Sequence, residues 1–285
     1  MKGTTLVLDI ETVPDPELYV PPSLPGGSER PFPPLHCHKI VALGVLWLDE
    51  GIHFKRMGVI GEGKDERDAL EDFAAFFTRH APQLVSYNGR SFDLPVIMLR
   101  AMRHGVSLRP YFAARDYRYR YSSEGHLDLA DFMAEHGAAR MISLHGAARL
   151  IGLPGKVGVD GSQVEGMYNS GRLDAIRNYC LADVAQTAFL FLRWQVLRGD
   201  LDAPAFTEAA TRLWDALAAD ARVGPILAQG VELERLLLRG PYAPRAASGP
   251  PPPLQPPLPL PPSPTETEPE PGKIPPPALD EGGEP

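Results

Sequence analysis

Proline sets the first limit on what this chain can fold into. Its ring fixes φ and removes the backbone N–H, so a proline-dense stretch can continue neither a helix nor a sheet. More than half of the 32 prolines lie after Gly240. Apolar side chains there are almost confined to Leu254, Leu258, Leu260, Ile274 and Leu279, too few to offset the entropy lost on ordering the segment. Residues 241–285 are therefore expected to form a disordered or polyproline-type tail, either solvated filler or a docking segment for a protein partner through its PxxP-like stretches. The folded body should end near Arg239.

That division also bears on charge. The formal net charge is −8, whereas nucleic-acid binders usually present a basic surface. Two basic residues (Arg245, Lys273) and six acidic ones (Glu266, Glu268, Glu270, Asp280, Glu281, Glu284) lie in the tail, so half of the net charge belongs to it. Acids of the body that cluster around divalent cations would see the local sign reversed. Apolar runs such as Leu43–Leu48 are too short to span a bilayer. The N-terminus reads as a strand rather than a secretion leader, and Cys37 and Cys180 form no CxxC pair. A reducing cytoplasm is the expected location.

Within the body, Thr4–Glu11, Lys39–Leu48 and Ile52–Val59 read as strands, the last two joined by a turn at Asp49-Glu50-Gly51. Asp65 should cap a helix that stops before Pro82, and Leu84–Tyr87 is a short strand ending at Asn88-Gly89. Helices should follow over Asp93–His104, Leu144–Leu150 and Leu173–Leu197, with two more between Pro204 and Leu238. Strands first and mixed elements afterwards imply one mixed sheet flanked by helices. Two long connections, Val13–His38 and the Gly-rich Leu153–Asn169, have the length of functional covers.

Chemistry-bearing residues fall into three groups. In Leu6-Val7-Leu8-Asp9-Ile10-Glu11, strand alternation puts Asp9 and Glu11 on one face, able to share a cation or simply to end a solvated strand. In Asn88-Gly89-Arg90-Ser91-Phe92-Asp93, Asp93 stands where a strand turns into a helix, as the helix N-cap, a site residue or both. In Tyr179-Cys180-Leu181-Ala182-Asp183, Tyr179 and Asp183 share a helix face at i, i+4.

In that order, DxE, N-x3-F-D and Y-x3-D, the motifs resemble the DEDD superfamily of 3′→5′ exonucleases. Tyr179 places the chain with the tyrosine branch, which includes the proofreading domain of family B DNA polymerases. The histidine branch would carry a His five residues before the last Asp, where this chain has Asn178. The resemblance runs over roughly residues 4–197 and is closest to stand-alone proteins described as predicted 3′→5′ exonucleases. It implies an α/β, ribonuclease H-like mixed sheet flanked by helices over residues 1–200, with a helical extension over 201–240 before the tail. It further implies a catalytic set of Asp9, Glu11, Asp93, Tyr179 and Asp183. The four acids would bind two Mg²⁺ or Mn²⁺ ions, Asp9, Glu11 and Asp183 one and Asp9 and Asp93 the other. The implied partner is nucleic acid, single-stranded 3′ ends of DNA in preference to RNA, with release of nucleoside 5′-monophosphates. No polymerase domain is expected within these residues.

Other residues suit substrate contact. Thr12, Asn88 and Phe92 adjoin the motifs, and Lys156 in Leu153-Pro154-Gly155-Lys156 can meet a phosphate. Arg118 and Tyr119 belong to a run, Arg109–Tyr121, of interleaved cationic and aromatic residues that is either a single-strand-binding segment or an amphipathic strand. Tyr87 is a wedge or a core residue, and Asp128 should cap or support the site. His36-Cys37-His38 is a poor zinc site, because adjacent side chains on an extended segment point apart. Two rival functions share the motifs: a nucleic-acid-binding module without catalysis, and a DxDx(T/V)-type phosphatase. The phosphatase motif expects an Asp where this chain has Glu11, and a late pair of acids where Asp183 has no acidic neighbour.

Overall fold

The fold is built outward from the strand that carries the first acid pair. In a computed structural model describing residues 3–22, 31–156 and 161–244, β1 (Thr5–Pro14) is the central strand of a five-stranded sheet. It pairs antiparallel with β2 (His38–Leu48), which pairs antiparallel with β3 (Phe54–Val59). On its other side β1 pairs parallel with β4 (Gln83–Ser86), and β4 with β5 (His126–Asp128), giving the order β3-β2-β1-β4-β5. The crossover from β3 to β4 is α1 (Glu66–His80), capped by Asp65 and ended by Ala81 in the left-handed region just before Pro82. The crossover from β4 to β5 runs through α2 (Asp93–His104), α3 (Arg109–Ala113) and α4 (Arg115–Arg118). This is the expected mixed sheet flanked by helices.

Alternation along β1 separates two cores. Leu6, Leu8 and Ile10 pack with Leu70, Phe73 and Phe77 of α1 and Leu94 and Ile97 of α2. Val7 points the other way, into a core shared with a long helix described below. Burial on both faces is what a central strand of apolar residues requires.

After β5 come α5 (Leu129–Met133), α6 (Leu144–Leu150), α7 (Val164–Asn169) and the 26-residue α8 (Leu173–Arg198). Helix α8 lies across β1 and β2 and is covered in turn by α6 and α9 (Ala203–Ala218), so nearly all of its sides are apolar. Two short helices, α10 (Gly224–Leu227) and α11 (Leu233–Leu236), follow, and Leu227 and Leu236 join the same core as α8 and α9. No described helix is long and apolar enough to cross a membrane.

Several sequence expectations need correction. The run from Arg109 to Tyr121 is not a strand: it forms α3 and α4, with Tyr111 and Tyr117 buried as anchors. Strand β5 and helix α7 are not predicted by the sequence, the first because three residues carry no readable period and the second because its segment reads as Gly-rich loop. The third strand begins at Phe54, since Ile52 takes a positive φ of 57° in the turn. Of the expected tail, Gly240–Tyr242 form a 3₁₀ turn with the Tyr242 ring against Arg235, and the part after Pro244 lies outside the described residues.

One close approach in the body lies between β2 and α8. Gly44 faces Asp9 across the β1–β2 ladder. A Cβ at Gly44 would stand 2.7 Å from Cys180 Sγ and 3.1 Å from Val184 Cγ2, so a bare backbone is what lets α8 seat on the sheet. Gly44→Ala should cost about 1–3 kcal/mol through overpacking. Thermal unfolding would show it as a Tm lowered by about 2–4 °C per kcal/mol; an unchanged Tm would mean that α8 has room to spare.

Candidate active site

Asp9 and Glu11 stand in the middle of β1, which runs on past them to Pro14, on the face that α8 covers. The β1–β2 register slips between Glu11 and Thr12, a bulge that turns the strand just beyond the acid pair. Because Gly44 lets α8 come down, Asp183 reaches both strand acids: ligand oxygens of Asp9, Glu11 and Asp183 all lie within 4.8 Å of one another. Three residues earlier on α8, the Cys180 thiol lies 3.4 Å from the Asp9 carbonyl oxygen and 3.5 Å from its Oδ2, holding that carboxylate in place.

Asp93 arrives from the other side of β1. It is the first residue of α2, but its side chain does not cap that helix. Instead Oδ1 accepts from the Ile10 N–H at 3.0 Å, tying the β4–α2 corner to the strand between the two acids. The corner is braced from β5. Asp128 accepts from the N–H groups of Asn88 and Arg90, both at 2.8 Å, and caps α5 through Ala130 and Asp131. Asp128 thus supports the corner, as its sequence position suggests. Asn88 adopts a φ of 65°, and its Oδ1 accepts from Ser91 Oγ at 2.7 Å. Gly89 packs so closely that a Cβ would come within 2.5 Å of Ser86 Oγ.

Tyr179 lies one turn before Asp183 and donates its phenolic hydrogen bond to the Asp183 carboxylate. Lys156 closes the cluster from the segment after α6, its Nζ 5.8 Å from the centre of the Tyr179 ring. Its backbone N–H donates to His145 Nδ1 at 3.0 Å, and Gly155, at φ 74°, passes the same ring where a Cβ would stand 2.4 Å from Nδ1.

A family model described as a predicted 3′-5′ exonuclease related to the exonuclease domain of PolB matches residues 30–229, well over half of the chain. The chain belongs to that family. Asp93, Lys156, Tyr179 and Asp183 fall inside the matched residues, while Asp9 and Glu11 precede them and join the site through the sheet. No curated protein matches the chain significantly. Among solved structures, the family B DNA polymerase from the hyperthermophilic archaeon Pyrobaculum calidifontis is similar, with 19% identity and a TM-score of 0.49. The match covers 84% of this chain and 28% of that one, so this chain spans less than a third of the polymerase's length.

The electrostatics of this exonuclease-family site are those of acids crowded out of water. Burial first, and then the charges of Asp93, Glu11 and Asp183, push the Asp9 carboxyl well above its usual range. Glu11 is raised in the same way, with Lys156 pulling it back. Burial lifts Asp93 to about 7 and Asp183 to about 6. Tyr179 is pushed up by burial and the neighbouring carboxylates, so its phenol stays protonated. Buried Glu11, Asp93 and Asp183 and the half-buried Asp9, with one lysine nearby, form an oxygen-only donor set whose charge is under-compensated, which suits a hard divalent cation. Among the described residues Asp9, Glu11 and Asp183 are the one group of three or more acids, histidines or cysteines that could hold a metal.

Beside Glu11 opens a cleft of about 570 Å³, lined by Thr12, Tyr19, Phe32, His38 and Phe92 among others. His38 organises it. Its Nε2 donates to the Pro33 carbonyl at 3.0 Å, which leaves Nδ1 to accept from the Thr12 hydroxyl at 2.8 Å. Phe32 and Phe92 lie against the His38 ring, with centroids 4.8 Å and 5.0 Å away. With both ring nitrogens occupied, and with Cys37 Sγ at 3.4 Å from the Leu18 carbonyl, the His36-Cys37-His38 run has structural duties. Tyr87, half-buried, donates from its hydroxyl to the Ile142 carbonyl at 2.9 Å.

Of the residues singled out from sequence, Asp9, Glu11, Asp93, Tyr179, Asp183 and Lys156 converge, and Thr12 and Phe92 line the adjoining cleft. Asn88 holds the corner. Arg118 and Tyr119 lie on and just after α4, and among the described residues no hydrogen bond or ring contact joins them to the acids. Sequence reasoning misses Cys180, Phe32 and Tyr19. Cys180 does carry a signal, being a small residue on the α8 face that must also present Asp183.

The raised carboxyls have a sign that can be measured. In the metal-free protein the folded state holds protons that the unfolded chain releases near pH 4, so stability should fall as pH rises from about 4 through about 7. Mn²⁺ should therefore raise Tm more at pH 8 than at pH 5.5, and Asp183→Asn should raise the metal-free Tm at pH 8 while shrinking the Mn²⁺ effect. A metal-independent Tm at both pH values would contradict this account.

Proposed function

We propose that the chain is a divalent-metal-dependent 3′→5′ exonuclease that removes nucleoside 5′-monophosphates from single-stranded 3′ ends, DNA in preference to RNA, in the cytoplasm. The observation that carries the reading is the convergence of Asp9, Glu11 and Asp183 within 4.8 Å, beside Asp93 and Tyr179, in a member of a predicted 3′-5′ exonuclease family.

Asp9, Glu11 and Asp183 would hold one Mg²⁺ or Mn²⁺ ion, and Asp9 and Asp93 a second. Such ions acidify a bound water and stabilise charge on the leaving 3′ oxygen. Everything else falls to the chain's own groups. The Asp93–Ile10 hydrogen bond fixes the α2 carboxylate relative to β1, and the Cys180 thiol fixes Asp9. With its proton retained, the Tyr179 hydroxyl orients the attacking water and is no general base. Lys156 offsets the charge of Glu11 and Asp183 and contacts a phosphate of the incoming strand. In the cleft next to Glu11, Phe92 and Phe32 present aromatic faces to the terminal base, Thr12 keeps the cleft wall in place through His38, and Asn88 holds the corner that carries Phe92 and Asp93.

End-labelled single-stranded DNA incubated with Mn²⁺ should give a ladder of products shortened one nucleotide at a time. Binding without shortening would support a non-catalytic module instead, and loss of the terminal phosphate alone a phosphatase. Asp183→Asn should reduce cleavage to background in a protein that still folds. Tyr179→Phe should slow it by about 10²-fold, the low end for a positioned proton-handling group. Full activity in Asp183→Asn would remove the proposal.

A further inference from the structure

The segment between α2 and β5 divides its aromatic residues into two sets. Tyr111 and Tyr117 point inward, and the Tyr117 hydroxyl donates to the Pro82 carbonyl at 2.9 Å. Phe112, Tyr119 and Tyr121 point outward, at 51%, 43% and 59% exposure. These are three of the five exposed aromatics among the described residues, gathered in ten positions. Two of the three carry a guanidinium: Arg118 lies 5.5 Å from the centre of the Phe112 ring and Arg115 4.7 Å from that of Tyr119. Tyr121 continues the row, 5.7 Å from Tyr119.

Charge points the same way. Residues 109–121 hold four arginines and one acid, Asp116, in a body that is otherwise acidic. Arg120 is engaged by Asp131. Among the described residues none of Arg109, Arg115 and Arg118 forms an ion pair, so their charge is open to an outside anion. The inward tyrosines and the close fit of Gly125 under α4, where a Cβ would meet the backbone of Asp116 and Tyr117 at 2.4 Å, hold the outward set on a rigid base.

We infer that this row is a binding platform for the upstream part of a single-stranded nucleic acid, its bases stacking on Phe112, Tyr119 and Tyr121 and its phosphates meeting Arg109, Arg115 and Arg118. The inference rests on the exonuclease reading for the direction in which the strand runs. Its placement separates it from the acids. Pro82 and Gly125 stand at the N-terminal ends of β4 and β5, and β4 runs parallel to β1 with Gln83 level with Thr5. At ~3.3 Å per residue, Asp9 and Glu11 lie roughly 13–20 Å further along the strand direction. A dinucleotide held at the acids does not span that distance, whereas a strand filling a single-strand site of the usual ~4–16 nucleotides does.

The test compares Phe112→Ala/Arg115→Ala with the parent chain on two substrates, a dinucleotide and a long single-stranded oligonucleotide, in Mn²⁺. Affinity for the long strand, measured as KM and by anisotropy in Ca²⁺, should fall on the order of 10–100-fold, since each base stack is worth ~1–3 kcal/mol. The dependence of that affinity on salt should become shallower. Dinucleotide turnover should be unchanged. Phe112→Tyr, which keeps an aromatic face, should restore most of the binding. Equal long-strand affinity in parent and double variant would overturn the platform, including the case in which the row instead captures an acidic protein. Loss of all turnover in the parent chain would count against the exonuclease reading, and the Ca²⁺ binding comparison would still decide the platform.

Discussion

The seating of α8 on the sheet at Gly44 is the contact on which the site depends. Asp9 and Glu11 are 172 or more positions before Asp183 in sequence, and only the depth of α8 over β1 and β2 brings the three within 4.8 Å. The absence of a side chain at Gly44 sets that depth, and Cys180 fills the space. Cys180 is small enough to lie against the β2 backbone, yet its thiol can also donate toward Asp9. A larger residue at either position would lift the helix and carry Asp183 with it. The packing that stabilises the fold and the geometry that gathers the acids are therefore one feature.

Such a gathering opposes folding unless something neutralises it. Four carboxyls with raised proton affinities in a low-dielectric environment repel one another, and Lys156 offsets only part of the charge. The surrounding structure answers with rigidity. Asp93 is pinned to the Ile10 N–H, and Asp128 pins the corner that carries Asp93. Further out, buried Arg100 pairs with both Asp15, just past β1, and Glu66 on α1, while Glu66 Oε1 accepts from the Ile40 N–H at 2.7 Å. That network satisfies its own buried charges and clamps the exit of β1 to α1 and α2, so the acid pair cannot relax by bending the strand away.

How much of this is legible in the sequence depends on the kind of signal. The acids are legible because strand and helix periods fix which residues share a face: Asp9 with Glu11 at i, i+2, and Tyr179 with Asp183 at i, i+4. Leu144–Leu150 is readable to the residue because Ser143 caps it and the apolar spacing is regular. Strand β5 is not, since three residues give no period, yet it supplies Asp128, which braces the corner. The use of Asp93 is only half legible: its place at a strand-to-helix corner is visible, but its bond to Ile10 across the sheet joins residues 83 positions apart and leaves no local trace. Gly44 and Phe32 are invisible for the same reason. One acts through what would collide with it and the other through a cleft formed by the fold of a long connection.

The family match begins at residue 30, after the DxE pair, and the topology shows why that pair still belongs to the same unit. Strand β1 is flanked by β2 on one side and β4 on the other, so without it the sheet would divide into a β2–β3 hairpin and a β4–β5 pair, both with open inner edges. The core on one face would lose Leu6, Leu8 and Ile10, and Asp93 would lose the N–H it binds. Without β1, residues 30–229 would keep two open sheet edges and an incompletely covered core. Any strand that fills that place to the same register delivers its positions 9 and 11 to the face beneath α8, where Asp183 waits. The identity of those two residues as carboxylates is then a matter of chemistry at the site, since strand pairing is set by the backbone.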